Sequence, residues 1–231
     1  MLVWIFVEGE SDRLALEALW ARWRELLKVA RWGLRFIPLQ NKSQFLRKIG
    51  PRAAEKLANN KDDLVVGLPD LYPNREYDKT LYKHDDIDEL RKVQKELVKR
   101  NLTDIYHLSP TQIEKKLERF YPTALKHDLE MLLLAAKDEL RDTLNTPDAL
   151  GNWCHPVEEQ NQTKPPKYIV DELFKKYKKQ AYRDTVHARA GLAKVKDFNT
   201  ILYRNNGGQL QCPVFKNLMD WLGDKTGVCA Y

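Results

Sequence analysis

Two acids stand where apolar runs stop. In FVEGESD at 6–12, Glu8 follows the run LVWIFV directly, and Asp12 comes four residues later, where a helical pattern begins. In LVVGLPDLYP at 64–73, Asp70 closes a second such run. Carboxylates presented from strand ends supply the hard oxygen donors that Mg2+ or Mn2+ takes while keeping waters and substrate phosphates in its remaining positions. Other uses stay open for two of the three. Glu10 and Asp12 suit the positive end of a helix, with Ser11 or Asp12 as its cap, and Asp70 suits a turn between Pro69 and the Tyr72-Pro73 corner. Glu8, beside Gly9, has no such local task.

Glu130, in HDLEMLLLA at 127–135, is the next candidate. An acid among leucines is costly to bury unpaired, so it needs a partner or a metal, with Asp128 as a neighbour, unless it sits at the solvent boundary of a helix. His127 reads as a packing or surface histidine. None of the five histidines has ligand spacing, and Cys154, Cys212 and Cys229 are too scattered for a zinc site or a disulfide framework.

Charge supplies the fourth feature. The chain carries +6 overall, yet residues 164–196 hold ten Lys and Arg against three acids, a local +7 that leaves −1 for the rest. Lys167, Lys175, Lys176, Lys178, Lys179, Arg183, Arg189 and Lys194, interleaved with Tyr168, Tyr177 and Tyr182, suit a phosphate backbone with bases stacked on the rings. A solvated helix face or an acidic protein partner would use the same residues.

The elements that position these residues follow from periodicity. The apolar runs 2–7, 34–39 and 64–68 predict strands buried on both faces. The stretches 11–28 and 42–60 between them predict helices, the second broken at Gly50 and Pro51. Strands of this kind separated by helices imply a parallel sheet with right-handed crossovers, which gathers Glu8, Asp12 and Asp70 at the carboxyl edge. Further helices are predicted over 87–101 and from the capping serine Ser109, a fourth strand over 121–127, and a buried helix over 127–144. A Pro, Asn and Gln-rich connector at 145–167 precedes helices at 168–182, 184–196 and 212–222. The fold expected is an α/β domain over 1–145 with a basic helical appendage over 146–231. Trp20, Trp23 and Trp32 read as packing residues, and Trp153 and Trp221 as anchors of the appendage.

At 231 residues with 43% apolar content, a packed core is expected and disordered or fibrous classes are excluded. The opening MLVWIFV is too short to span a membrane and lacks a basic leader, so no membrane role is expected and a reducing cytoplasm fits best. No Gly-rich phosphate loop occurs, and GGQL at 207–210 reads as a turn.

An acid closing the first strand in an EG-x-x-acid motif, with another closing a later parallel strand, resembles the TOPRIM fold of topoisomerases, primases and OLD-type nucleases. The resemblance implies a TOPRIM-like, Rossmannoid sheet in which Glu8 is a metal ligand or general acid/base and Asp70 a metal ligand. It also matches Asp12 to the acid that OLD-type nucleases place four residues on. The family's Asp-x-Asp pair is missing, since Leu68 and Tyr72 flank Asp70. The order of VEGESD, LPDLYPN, HDLEMLLLA, PPK at 165–167, KKYKKQAYRD and CPVF at 212–215 is similar to small TOPRIM-like proteins encoded beside ATPases in bacterial defence loci.

The implied function is a Mg2+- or Mn2+-dependent nuclease acting on DNA or RNA, the effector of an ATPase-coupled defence system. Glu8 and Asp70 would be catalytic, and Glu8, Asp12, Asp70 and Glu130 would hold metal, with Lys167 or Lys194 balancing charge on the leaving side. The alternative is a degenerate TOPRIM-like binding or regulatory subunit of an ATPase complex. Either way the ATPase is a separate chain, and oligomerisation is left open.

Overall fold

The computed structural model describes residues 1–160, 162–204 and 208–231; Asn161 of the expected connector and Gly207 of the expected turn lie outside them. The chain packs as two units, Met1–Arg13 with Leu26–Leu125, and Leu14–Glu25 with Lys126–Tyr231.

The first unit is built on the strands β1 (Leu2–Val7), β2 (Gly33–Pro38), β3 (Leu64–Leu68) and β4 (Phe120–Pro122), all parallel in the order β2-β1-β3-β4. β3 is buried at every position, as a strand covered on both faces must be. The expected fourth strand is shorter and starts one residue earlier. Past Pro122 the pairing narrows to the Thr123 N–H donating to the Gly67 carbonyl at 2.9 Å and a bridge between Asp70 and Leu125.

Helices α1 (Glu10–Leu19) and α2 (Ala21–Val29) follow β1, α3 (Lys42–Asn59) follows β2, and α4 (Ile87–Asp104) and α5 (Pro110–Leu117) precede β4. The expected single helix over 11–28 is thus interrupted at Trp20. The chain leaves the first unit within α1 and returns within α2. α3 is capped by Asn41, whose side chain accepts from Gln44 N, and it runs through Pro51 without the expected break. Gly50 serves packing instead. A Cβ there would lie 2.9 Å from the Leu97 carbonyl and 2.7 Å from Asn101 Nδ2, so glycine is what lets α3 and α4 close on each other. The Ser109 cap forms as the sequence predicts, with a reciprocal bond pair to Gln112. On β3, Gly67 leaves room for the wholly buried Gln94, whose Nε2 donates to the Thr123 carbonyl at 2.9 Å.

The second unit is helical: α6 (Glu130–Ala135), α7 (Lys137–Leu144), α8 (Pro166–Lys178), α9 (Arg189–Leu192), α10 (Asn199–Leu202) and α11 (Pro213–Thr226). α6 and α7, which precede the expected division at 145, pack here. The helix expected over 127–144 is two helices, because Ala136 leaves helical geometry at ψ 59°. The helix expected over 184–196 is a π-turn, Asp184–Ala188, followed only by α9. Its wider turn seats His187, which stacks on Phe174 at 4.4 Å and accepts from the Arg183 N–H through Nδ1 at 2.9 Å. Trp20 is fully buried and stacks on Phe215, while Trp23 Nε1 donates to the Val228 carbonyl. Trp153 and Trp221 belong to this unit, and Trp32 to the first.

Candidate functional site

Register decides what the strand ends bring together. β1 and β3 pair with Val7 opposite Leu68, so Glu8 and Asp70 emerge side by side at the carboxyl edge. The Asp70 backbone is fixed there by the flanking bonds from Leu125 N to Pro69 O, 2.9 Å, and from Leu71 N to Leu125 O, 2.7 Å. Its N–H donates to Glu8 Oε1 at 3.1 Å.

The start of α3, after β2, contributes a group that sequence reasoning missed. Lys42, the first residue of α3, reaches back over the same edge and donates from Nζ to the Asp70 carbonyl at 2.7 Å, lying 3.6 Å from Glu8 Oε1. The Lys42 and Glu8 side chains are 12% and 11% exposed. Tyr77, buried, donates its hydroxyl to the Lys42 carbonyl and holds the start of α3 in place. The available signal was positional: a lysine just past a parallel strand shares the edge occupied by Glu8 and Asp70.

Asp12 Oδ2 accepts from the Gly9 N–H at 2.8 Å, the reciprocal bond that closes the turn into α1. The helix-start role open in the sequence is therefore realised, while the Asp12 charge still acts on Glu8. Burial pushes the Glu8 carboxyl up to about 7; Lys42 opposes this, Asp12 adds to it, the Asp70 N–H opposes it and Glu76 adds to it. A carboxyl so placed exchanges its proton near neutrality. Burial and the Glu8 charge also push the Tyr77 hydroxyl upward, so it stays a hydrogen-bond donor.

Among the described residues, no three His, Cys, Asp or Glu side chains form a group that could hold a metal ion. The expected convergence of three strand-end carboxylates is not formed. Mg2+ needs only one or two protein carboxylates when substrate phosphates complete its shell. By that measure Glu8 fits: the negative charges of Asp12 and Glu76 act on its carboxyl with Lys42 as the opposing cation, a balance that favours added positive charge.

The second unit holds the remaining expected site residues. Glu130, 1% exposed, begins α6, and Asp128 lies just before it. Burial raises both carboxyls; for Asp128 the Glu130 charge is the next cause, and Lys167 opposes the rise in both. Lys167 Nζ lies 3.2 Å from Asp184 Oδ2, and its N–H donates to Asp128 Oδ2 at 3.3 Å. The Tyr182 hydroxyl borders Glu130 without a well-formed hydrogen bond, and burial pushes it upward.

Along α8, Lys175 pairs with Asp171 at 2.5 Å. Among the described residues Lys176, Lys178, Lys179, Arg183, Arg189 and Lys194 form no ion pair, and all but the half-buried Lys178 are exposed. No described helix is long and apolar enough to cross a membrane.

A family model described as "Domain of unknown function (DUF4276)" matches residues 7–223. The chain is similar to two solved structures of the C-terminal region of the Xanthomonas campestris pv. campestris OLD protein. The one phased with mercury is 13% identical, covers 97% of this chain and 96% of that one, and gives a TM-score of 0.42. For the one phased with iodine the values are 15%, 84%, 85% and 0.37. No curated protein matches the chain.

Proposed function

Because the chain belongs to the DUF4276 family, whose description assigns no activity, its function rests on its own strand-end site, and we propose a divalent-metal-dependent nuclease that hydrolyses phosphodiester bonds of DNA or RNA. The observation that supports this most is the Glu8 carboxyl, buried at the end of β1 between Lys42 Nζ and the Asp70 N–H and titrating at about 7. A group with that pKa takes and returns protons at physiological pH, as general acid–base chemistry requires. Glu8 is the base or metal ligand and Asp70 its neighbour at the edge. Lys42 is the positioning cation that holds the Glu8 pKa down toward neutrality against its burial. Glu8 would hold Mg2+ or Mn2+ with substrate phosphate oxygens and waters completing the shell, and the ion when bound would polarise the scissile phosphate and lower the pKa of a water.

The unpaired basic groups of the second unit bind the phosphate backbone, and their charge makes that binding salt-dependent. In this reading the chain is the effector of an ATPase-coupled defence system and works with a separate ATPase subunit, on the strength of the sequence resemblance. The test is cleavage of supercoiled plasmid, single-stranded DNA and RNA with Mg2+ or Mn2+, with and without the neighbouring ATPase. Wild type is compared with folded Glu8→Gln and Asp70→Ala. Cleavage lost in both variants supports the proposal, and a wild type inactive in every condition overturns it.

One observation favours a second reading, a degenerate TOPRIM-like subunit that binds nucleic acid without cutting it. Lys42 already neutralises Glu8, and no three-acid group surrounds it among the described residues. Nucleic-acid binding with no cleavage under any metal would select this reading.

A further inference from the structure

Between β3 and α4 the chain makes a loop, 72–85, whose two legs are tied to each other. The Tyr72 hydroxyl donates to the Asp85 carbonyl at 3.2 Å, and Asn74 Nδ2 donates to the His84 carbonyl at 2.6 Å. Loops closed in this way pack on their own side chains. Here the inner side chain is Tyr77, with Tyr82 edge-on to it at 6.4 Å and His84 tilted against it at 5.3 Å, while Leu81 at the outer turn is 93% exposed. The Tyr77 hydroxyl carries the loop's bond to the strand-end site, donating to the Lys42 carbonyl.

His84 is 1% exposed. Its Nδ1 lies 2.8 Å from the Tyr82 carbonyl, which accepts only from an N–H, so Nδ1 carries the proton of the neutral ring and Nε2 is left buried with no partner. A protonated ring has a second N–H at Nε2, and no acceptor stands there to meet it. The charges that face the ring are the Lys42 ammonium from α3, the Asp85 carboxylate from the loop and the Glu89 carboxylate from α4, beside the phenols of Tyr77 and Tyr82. Both carboxylates are engaged elsewhere. Glu89 Oε2 accepts from the Asp85 N–H at 2.7 Å, and Asp85 Oδ2 lies 3.9 Å from Lys83 Nζ. Burial, with Lys42 acting in the same direction, outweighs their pull and holds the imidazole below its ordinary 6.5.

We propose that the 72–85 loop is an acid-released strap on the strand-end site, with His84 as its pin: the neutral ring locks the loop closed, and a proton at Nε2 expels the ring, opens the loop and frees Lys42 from Tyr77. The strap does not depend on the nuclease proposal. Released, His84 titrates near 6.5, and closed, it resists the proton, so opening is favoured as pH falls through 6.5. Between pH 7.5 and pH 5 the open fraction rises by at most about thirtyfold, the change in the proton binding of a released ring.

Hydrogen exchange of the intact chain at pH 7.5 and pH 5 tests it, each rate corrected for the intrinsic exchange at that pH. The probes are the Tyr77 and Thr80 amides, bonded within the loop to the Asn74 and Tyr77 carbonyls at 2.9 Å each, and the β1 amides report global unfolding. The loop amides are expected to exchange about ten- to thirtyfold faster at pH 5 with β1 unchanged. His84→Asn keeps a donor for the Tyr82 carbonyl and has no titrating ring, so it is expected to abolish that pH dependence. An NMR titration of the His84 ring in the wild type gives a check that needs no variant, with its midpoint expected below 6.5. Equal corrected loop rates at the two pH values, a rise matched by β1, a rise that survives in His84→Asn, or a His84 midpoint at or above 6.5 overturns the proposal.

Discussion

The Asp70 N–H donates to Glu8 Oε1 at 3.1 Å, so the backbone that ends β3 stabilises the ionised form of the carboxyl that ends β1. Lys42 acts in the same direction from 3.6 Å, yet burial outweighs both, and the carboxyl rests at about 7 rather than at its ordinary 4.5. The edge is therefore poised, with small changes of charge moving Glu8 between its two states.

If Glu8 acts as base or metal ligand, it works ionised, so kcat/KM for cleavage rises with pH and levels off above about 7. Glu8→Gln removes that inflection and lowers kcat/KM by roughly 10²–10⁴-fold. A pH–rate profile checks it; an inflection that survives in Glu8→Gln belongs to another group.

Lys42→Met removes a cation that lowers the Glu8 pKa, so the inflection moves to higher pH and activity at pH 7 falls. Lys42→Arg keeps the charge and the profile. Lys42 being merely structural would show as a loss of activity with the inflection unmoved.

Glu8 and Glu158 both sit at about 7 in the folded chain against 4.5. Each holds its proton more tightly folded than unfolded, so the stability this gives is fully present below pH 4.5 and is lost as pH rises through 7. The loss is on the order of 3 kcal/mol per group. Urea unfolding at pH 5 and pH 8 measures it, and Glu158→Gln reduces the difference. A midpoint that rises toward pH 8 contradicts the assignment.

Glu158 also replaces the missing cap of α11. Cys212 offers no side-chain bond at the helix start, and the Glu158 carboxyl accepts from Val214 N at 2.8 Å and Phe215 N at 3.0 Å. Glu158→Ala leaves both donors unmet and costs about 1–2 kcal/mol, read as a lower melting temperature at pH 5.

Gly50→Ala forces α3 from α4, since the new Cβ meets the Leu97 carbonyl at 2.9 Å. A destabilisation of about 1–3 kcal/mol is expected in chemical denaturation.

How much of this was legible depended on how local the cause was. β1, β2 and β3 were readable because burial on both faces writes continuous apolar runs, and the Ser109 cap because its bonds lie within three residues. Once a parallel sheet was inferred, the shared edge of Glu8 and Asp70 followed. Other features depended on distant partners. Pro51 signals a break, and only the packing of Gly50 against Leu97 shows why α3 runs on. The π-turn at 184–188 exists because His187 finds Phe174, and the break at Ala136 divides a leucine run that reads as one helix.

For the candidate site, the sequence by itself determined the identity of the acids and the strand ends that carry them, since chain order and period suffice for that. Only the tertiary structure decided that Lys42 is their counter-ion, that Asp12 closes the turn into α1, and that Glu8 titrates near neutrality. A pKa is set by burial and by charges that arrive from other elements, and neither is written at the residue itself.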